Sequence, residues 1–85
     1  MIYMLWLGRI LNNFLEKMSR RFELVIFTAS ISNYANNLLN AIDKMEYMPF
    51  RLFREHCTLI NTAFVKDLTR LGRDLKDIII WIIIL

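Results

Sequence analysis

The apolar positions between residues 11 and 18 recur with the period of an α-helix. Leu11, Phe14, Leu15 and Met18 are spaced i, i+3, i+4 and i+7, and polar residues occupy the opposite face. This spacing predicts an amphipathic helix with one buried face. The apolar run 22–27, broken by a single polar residue, follows it and predicts a strand covered on both faces, as in a parallel sheet.

Residues 31–44 repeat the helical period. Ser30 or Ser32 is expected to cap the start of this second helix, because a serine hydroxyl there accepts hydrogen bonds from open backbone N–H groups. The apolar face of the helix consists of Ile31, Tyr34, Ala35, Leu38, Leu39 and Ile42. Pro49 lacks a backbone N–H and closes the unit.

The remaining segments are short. Alternation at 51–54, followed by 58–60 and 64–66 around the turn residues 61–63, predicts a small antiparallel ribbon. A helical turn is expected over 68–75, around Gly72. The stretches 77–85 and 1–7 are each expected to form a buried core strand.

Strands that alternate with helices predict an α/β fold. Ligands of such sheets bind beyond the carboxyl ends of the strands, which here directs attention to Thr28, Ala29 and Ser30. A chain of 85 residues has room for at most one small domain. Periodicity alone indicates no catalytic set.

Composition narrows the classes of function. The 11 Lys and Arg against 8 Asp and Glu give a formal charge of only +3, which does not favour nucleic-acid binding. Neither terminal apolar run reaches the roughly 18 residues of a membrane span, so we expect no membrane segment. Cys57 has no partner for an internal disulfide, so a reducing compartment is the default, and His56 is the only histidine, which disfavours a zinc site.

Three blocks of residues carry a resemblance to a known family. They are 14–18 (Phe-Leu-Glu-Lys-Met), 27–30 (Phe-Thr-Ala-Ser) with the following Tyr34-Ala35, and 51–58 continued by 65–75. Together they resemble the phosphatases that act on the carboxy-terminal domain (CTD) of RNA polymerase II, the small CTD phosphatase, Dullard and NIF-like group. The resemblance covers residues 14–80, and we interpret 1–13 and 81–85 as divergent ends.

The resemblance implies a fold and a chemistry. The family has the haloacid-dehalogenase fold, a Rossmann-like sheet, and forms an aspartyl-phosphate intermediate with Mg²⁺. By resemblance, Thr28 hydrogen-bonds a phosphate oxygen and Lys66 offsets phosphate charge. The alternatives are a strand-end threonine that satisfies nearby backbone and a solvated ribbon lysine.

Further motif residues match positions outside the reaction centre. Tyr34 and Arg54 correspond to the groove that binds a phosphopeptide, although Tyr34 fits a helix core equally well. We expect His56 and Cys57 to pack in the core or at a sheet edge. A structural ion-pair and capping network is expected from Asp67, Arg73 and Asp74.

The chain departs from the family at both ends. The Asp-x-Asp-x-Thr motif of the nucleophile has no counterpart, since no Asp precedes Asp43, and Ile82 stands where the family has a metal-binding Asp. The resemblance therefore implies a partial haloacid-dehalogenase domain with a small β-ribbon insertion. It lacks the family's first central strand, binds no Mg²⁺ and is inactive as written.

The predicted function is that of a Mg²⁺-dependent protein serine/threonine phosphatase acting on phosphoserine peptides, in a form that lacks its nucleophile. A phosphoprotein partner and a nuclear or cytoplasmic location follow from the resemblance. An alternative is the non-catalytic presequence receptor of the mitochondrial inner-membrane translocase, which shares the fold. A gene product without function is a third possibility.

The codons of Trp81, Ile82 and Ile83 give a test of the missing aspartate. TGG-ATA-ATT encodes these residues, and the frame one base earlier reads nTG-GAT-AAT, an apolar residue followed by Asp-Asn, as in the family. We expect the genomic DNA to encode Asp-Asn in this second frame and Asp-x-Asp-x-Thr upstream of Phe14. Sequencing the locus across the codons of Leu7 and Trp81 checks this, and if no frame encodes these acids the loss is real.

Overall fold

The protein has an α/β fold, as the sequence predicts, in a computed structural model that describes residues 2–81. Three short 3₁₀ helices accompany its two α-helices and four strands. The elements in chain order are α1 (Ile2–Ser19), β1 (Val25–Phe27), α2 (Ser32–Ile42), β2 (Phe50–Leu52), a 3₁₀ helix (Arg54–His56), β3 (Thr58–Ile60), β4 (Ala63–Val65) and two more 3₁₀ helices (Leu68–Leu71 and Leu75–Asp77).

Helix α1 begins much earlier than its clearest periodic segment. It starts at Ile2, so the strand predicted over residues 1–7 is wrong within the described residues 2–7. No Pro or cluster of turn residues separates this apolar run from Leu11, and a single Gly8 costs a helix only about 1 kcal/mol. The helix therefore continues through both segments.

The buried core lies between the two helices and the segment that follows α2. Leu11 and Leu15 of α1 meet Ala35 and Leu39 of α2, as the helical spacing predicts, and Leu15 is only 2% exposed. Met48 and Phe53 complete the buried cluster. Burial of these side chains provides the main driving force that holds α2 against α1.

Strands β1 and β2 form a parallel pair with α2 as the connection between them. Val25 pairs with Phe50 and Phe27 with Leu52. The prediction that residues 51–54 belong to an antiparallel ribbon is therefore wrong. Their alternation indicates a strand but leaves its partner open, and the helical crossover of α2 brings β2 alongside β1 in the parallel direction.

The predicted ribbon is present as the hairpin β3–β4, with residues 61–62 rather than 61–63 as its turn. Thr58 lies opposite Val65 and Ile60 opposite Ala63. Asn61 and Thr62 have φ values of 47° and 66°. A two-residue turn with positive φ at both positions matches the right-handed twist of the flanking strands.

The segment after the hairpin contains 3₁₀ turns instead of a strand. Gly72 has φ 76° and ends the first of them in the left-handed conformation that favours glycine. Residues 78–81 form no strand, so the strand predicted over 77–85 is wrong for 77–81, while residues 82–85, Ile82 among them, lie outside the described part of the chain. In residues 2–81 the only strand paired with β1 is β2, which leaves segment 78–81 without the neighbour that a strand needs.

The start of α2 differs from the prediction. Ile31 occupies the capping position and makes no side-chain cap hydrogen bond, so the cap predicted at Ser30 or Ser32 is wrong. The backbone N–H of Ser30 donates to the Thr28 side chain. None of the helices within residues 2–81 is long and apolar enough to cross a bilayer.

A buried carboxylate organises the turn between α2 and β2. Asp43 is 1% exposed, and its two oxygens accept hydrogen bonds from the backbone N–H groups of Tyr47 at 2.9 Å and Met48 at 2.8 Å. Its backbone N–H also donates to the Leu39 carbonyl at 2.8 Å and ends the helix. Asp43 therefore fixes the path by which the chain returns to the sheet.

We expect Asp43→Asn to lower the free energy of unfolding by about 1–3 kcal/mol, because the amide places an N–H₂ group against a buried backbone N–H. Chemical denaturation followed by circular dichroism measures the change. The matched control is Asp74→Asn, since the Asp74 side chain is exposed and makes no cap hydrogen bond. Equal stability of the two variants would contradict the role assigned to Asp43.

Candidate functional site

An open cleft of about 620 Å³ lies beside β1. Its walls come from α1, α2, β1 and the segment 77–81. Three of the four residues expected at the site, Thr28, Tyr34 and Lys66, line this one cleft, although they come from different segments of the chain. Arg54 lies beside it and contacts the loop that carries Thr28.

Thr28 is held at the carboxyl end of β1. Its backbone N–H donates to the Leu52 carbonyl at 2.9 Å, which extends the β1–β2 ladder by one residue. Its Oγ1 accepts a hydrogen bond from the Ser30 N–H at 3.1 Å. A threonine hydroxyl has one donor and two acceptor sites, so the O–H group of Thr28 is still available to donate into the cleft.

Lys66 directly follows β4 and reaches the cleft from the hairpin side. Its side chain is exposed, and among residues 2–81 no carboxylate lies within salt-bridge distance of it. A flexible, hydrated ammonium in this position can act as a mobile point charge for an anion.

Tyr34 lies on the exposed side of α2. The side chain is 68% exposed and lines the cleft, so the alternative that Tyr34 belongs to the helix core is wrong. The neighbouring Ala35 is the buried residue of this helical turn. An exposed aromatic ring at the rim of a cleft can pack against an extended peptide.

The Arg54 side chain contacts other residues of the protein. Its Nε–H donates to the Ala29 carbonyl at 2.8 Å, and its backbone N–H donates to the Ser30 carbonyl at 3.2 Å. The guanidinium carbon lies 4.9 Å from the centre of the Phe64 ring, a cation–π distance. One side chain therefore contacts both the Thr28 loop and the hairpin.

The carboxylates of the cleft do not form a metal site. They are Glu23 and Asp77, and Glu23 is held by Arg73, whose Nη2 lies 2.9 Å from Glu23 Oε2. No group of three His, Cys, Asp or Glu side chains that could hold a metal ion occurs within residues 2–81. The oxygen ligands that Mg²⁺ requires are therefore not assembled by these residues.

Known proteins match this chain over most of its length. A family model described as NLI interacting factor-like phosphatase matches residues 2–81. The chain belongs to this family.

Three curated relatives show the extent of the similarity. The chain is 49% identical over 67 residues to the CTD small phosphatase-like protein 2 of Dictyostelium discoideum, covering 79% of the chain and 12% of that protein. It is 45% identical over 69 residues to the Drosophila melanogaster Phosphatase Herzog, covering 81% of the chain and 20% of that protein. The same identity and length relate it to the human carboxy-terminal domain RNA polymerase II polypeptide A small phosphatase 1, covering 81% of the chain and 26% of that protein.

The chain thus spans between about an eighth and about a quarter of the length of these phosphatases. Membership in the NLI interacting factor-like family identifies the class of protein and agrees with the resemblance in sequence. The roles of Thr28, Lys66, Tyr34 and Arg54 remain predictions, which the geometry of the cleft now makes specific.

Two further motif residues, His56 and Cys57, are predicted to pack in the core or at a sheet edge. His56 is exposed, and its Nδ1 accepts a hydrogen bond from the Phe53 N–H at 2.9 Å. His56 therefore does not pack in the core, and its ring caps the 3₁₀ helix Arg54–His56. Cys57 is half-buried, with its Sγ 3.7 Å from the Phe53 carbonyl oxygen.

The expected ion-pair and capping network is present in part. Arg73 forms its ion pair with Glu23, which lies 50 residues earlier in the chain. The Asp67 carboxylate accepts hydrogen bonds from the backbone N–H and the hydroxyl of Thr69 and caps the 3₁₀ helix Leu68–Leu71. Asp74 makes no such bond.

The sequence pattern does not reveal Phe64, or the role of Ser30, in shaping the site. Phe64 supports Arg54, and Ser30 supplies the N–H that orients the Thr28 hydroxyl. Phe64 reads as one more apolar residue of a ribbon, so nothing in the sequence distinguishes it. For Ser30 the available signal is the loop threonine two residues earlier, because a threonine side chain can accept a hydrogen bond from the backbone N–H two residues on, in an ST-turn.

The hydroxyl and then the backbone N–H of Thr69 hold the pKa of Asp67 below its usual value, with a smaller contribution from Arg70. We expect Thr69→Ala to raise this pKa more than Arg70→Gln does. Because the pKa is lowered by folding, the cap stabilises the turn above the ordinary aspartate pKa and is lost as the pH falls through the lowered value. Carboxyl NMR titration of Asp67 measures the shift, and a titration unchanged by Thr69→Ala would disprove the assigned cause.

Proposed function

We propose that this chain forms the phosphate-binding part of a protein serine/threonine phosphatase domain, with phosphoserine peptides as its ligands. The proposal rests on one observation: Thr28 and Lys66 line the same cleft although 38 positions separate them in the chain. The predicted helices and strands do not by themselves bring both residues to one cleft. A phosphate group needs both a hydrogen-bond donor and a positive charge, and these two residues supply one of each.

Thr28 acts as the donor. With Oγ1 already accepting the Ser30 N–H, the hydroxyl proton is directed toward other acceptors, and a phosphate oxygen in the cleft is such an acceptor. The backbone bond from Thr28 to Leu52 keeps the residue at the end of the β1–β2 ladder. The donor is therefore held in place before the ligand arrives.

Lys66 supplies the charge. The other basic residue that lines the cleft, Arg73, forms two hydrogen bonds with Glu23, at 3.1 and 3.2 Å. Lys66 is the cleft cation that lacks such a carboxylate partner among the described residues. An incoming phosphate dianion would meet this ammonium without first displacing an internal ion pair.

Tyr34 offers a contact for the part of a peptide ligand that lies beyond the phosphate. Its exposed ring stands on α2 at the cleft rim, where it can pack against residues next to a phosphoserine. The Dictyostelium discoideum relative is named CTD small phosphatase-like protein 2 and the human relative is named as a carboxy-terminal domain small phosphatase, and peptide phosphate esters are the corresponding ligand class that we propose for this chain.

Binding and turnover are separate properties in this proposal. The family reaction requires a carboxylate that attacks phosphorus and carries the phosphoryl group, and no Asp precedes Asp43 in the sequence. Asp43 itself is buried and bonded to two backbone N–H groups, which removes it from the cleft. We therefore expect the 85-residue chain to bind phosphate without hydrolysing phosphate esters.

The test is a titration of the chain with inorganic phosphate, followed by the backbone amide signals of residues 28, 30 and 66. We expect Lys66→Ala to weaken phosphate binding about tenfold and Thr28→Val about fivefold, the effects of losing a charged and a neutral hydrogen-bonding group. The matched control is Lys76→Ala, which removes the same charge from an exposed lysine outside the cleft. It should leave binding unchanged at constant ionic strength.

Equal losses in the two lysine variants would mean that only net charge attracts phosphate, and the proposed site would be wrong. Release of phosphate from a phosphoserine peptide with Mg²⁺ present, abolished by Lys66→Ala, would refute the absence of turnover. Binding of a basic amphipathic presequence peptide without any phosphate binding would favour the receptor alternative.

A further inference from the structure

Arg54 joins the two segments that carry the proposed phosphate ligands. Thr28 belongs to the loop after β1, and Lys66 follows β4 of the hairpin. Arg54 lies between them in the chain, at the start of the 3₁₀ helix Arg54–His56. Arg54 contacts both the loop after β1 and the hairpin.

On the loop side, Arg54 makes two hydrogen bonds. The side-chain Nε–H donates to the Ala29 carbonyl at 2.8 Å, and the backbone N–H donates to the Ser30 carbonyl at 3.2 Å. The next bond back along the loop runs from the Ser30 N–H to Thr28 Oγ1. Arg54 thus fixes both residues that follow Thr28, and Ser30 in turn orients the Thr28 hydroxyl.

On the hairpin side, the guanidinium of Arg54 lies against the ring of Phe64 at 4.9 Å from its centre. Phe64 sits in β4, two positions before Lys66. The hairpin has few other supports, because Leu59, Ile60 and Phe64 are 64%, 51% and 45% exposed. A two-stranded hairpin is only marginally stable by itself, so a contact to the body of the protein sets its position.

We propose that Arg54 and Phe64 together set the distance between Thr28 and Lys66, so that Arg54 is a positioning residue of the phosphate site. This inference rests on the proposed function, since it concerns the same two ligands. It differs from the role that resemblance implies for Arg54, a direct contact to the peptide. The guanidinium acts through the Ala29 carbonyl and the Phe64 ring.

The geometry requires arginine rather than any cation. The Nε–H donates to the Ala29 carbonyl while the guanidinium carbon lies over the Phe64 ring, and a single lysine ammonium cannot occupy both positions. Leucine at position 64 would keep the apolar bulk but remove the π face that attracts the cation. Tyrosine there would keep that face.

These differences define the experiment. Phosphate binding is measured for the unmodified chain and for Arg54→Lys, Phe64→Leu, Phe64→Tyr and the double variant Arg54→Lys/Phe64→Leu. We expect each of the first two substitutions to weaken binding about fivefold, Phe64→Tyr to leave it within about twofold, and the double variant to be no weaker than either single one. Such non-additivity is the mark of two residues that act through one contact.

A direct peptide contact by Arg54 gives a different result. Arg54→Lys would keep most of the affinity for a phosphoserine peptide, Phe64→Leu would have no effect, and any losses would add in the double variant. A general loss of structure is recognised because Phe64→Leu and Phe64→Tyr would then weaken binding alike. Either outcome overturns the positioning role.

A measurement without phosphate separates this inference from the proposed function. The amide signals of Thr28 and Ser30 should move in Phe64→Leu but stay in place in Phe64→Tyr, since only the leucine variant releases the loop. If they do so while Lys66→Ala binds phosphate normally, the contact is real and the proposed phosphate site is wrong. If Lys66→Ala weakens binding and these signals do not respond to Phe64→Leu, the positioning role alone fails.

Discussion

The parallel pairing of β1 with β2 is the interaction on which the arrangement of the site depends. It aligns the ends of two chain segments that are 25 positions apart, Val25 opposite Phe50 and Phe27 opposite Leu52. The ladder continues for one more bond, from the Thr28 N–H to the Leu52 carbonyl. Beyond that point both segments leave the sheet on the same side, so the loop of Thr28 and the turn of Arg54 become neighbours.

Helix α2 supports the pairing of β1 with β2. Helix α2 spans the crossover and is anchored in the core by Ala35 and Leu39. Arg51 in the middle of β2 donates from Nη1 to Asn36 and Asn40 on α2, at 3.0 and 2.9 Å. Because these bonds run from strand to helix, the strand is fixed in register as well as in position.

The amino-acid pattern predicts those parts of the fold that local physics decides. The helical spacing of Leu11 and Leu15 yields the predicted helix with one buried face, because a buried face leaves its period in the sequence. The apolar run before Thr28 also yields a strand, but this strand covers only Val25–Phe27 and is not covered on both faces as predicted, since Val25 is 40% exposed. Residues 51–54 and 78–81 show why the rest is not predictable in this way. Both have sequences suited to a strand, but the choice of partner is a long-range event, and only Phe50–Leu52 finds a strand to pair with among the described residues.

In the candidate site, too, the sequence predicts the local features but not the long-range contacts. Thr28 is predictable as a residue at the end of a strand, and Lys66 by its resemblance to a family motif. The ion pair of Arg73 with Glu23 and the contact of Arg54 with Phe64 leave no local spacing to recognise. Under the proposed function, Thr28 and Lys66 would bind the phosphate of the substrate and of the transition state equally well. Binding of that kind does not by itself accelerate a reaction. Under that proposal, the geometry of Thr28 and Lys66 serves the recognition of a phosphate group, whether or not a nucleophile accompanies them.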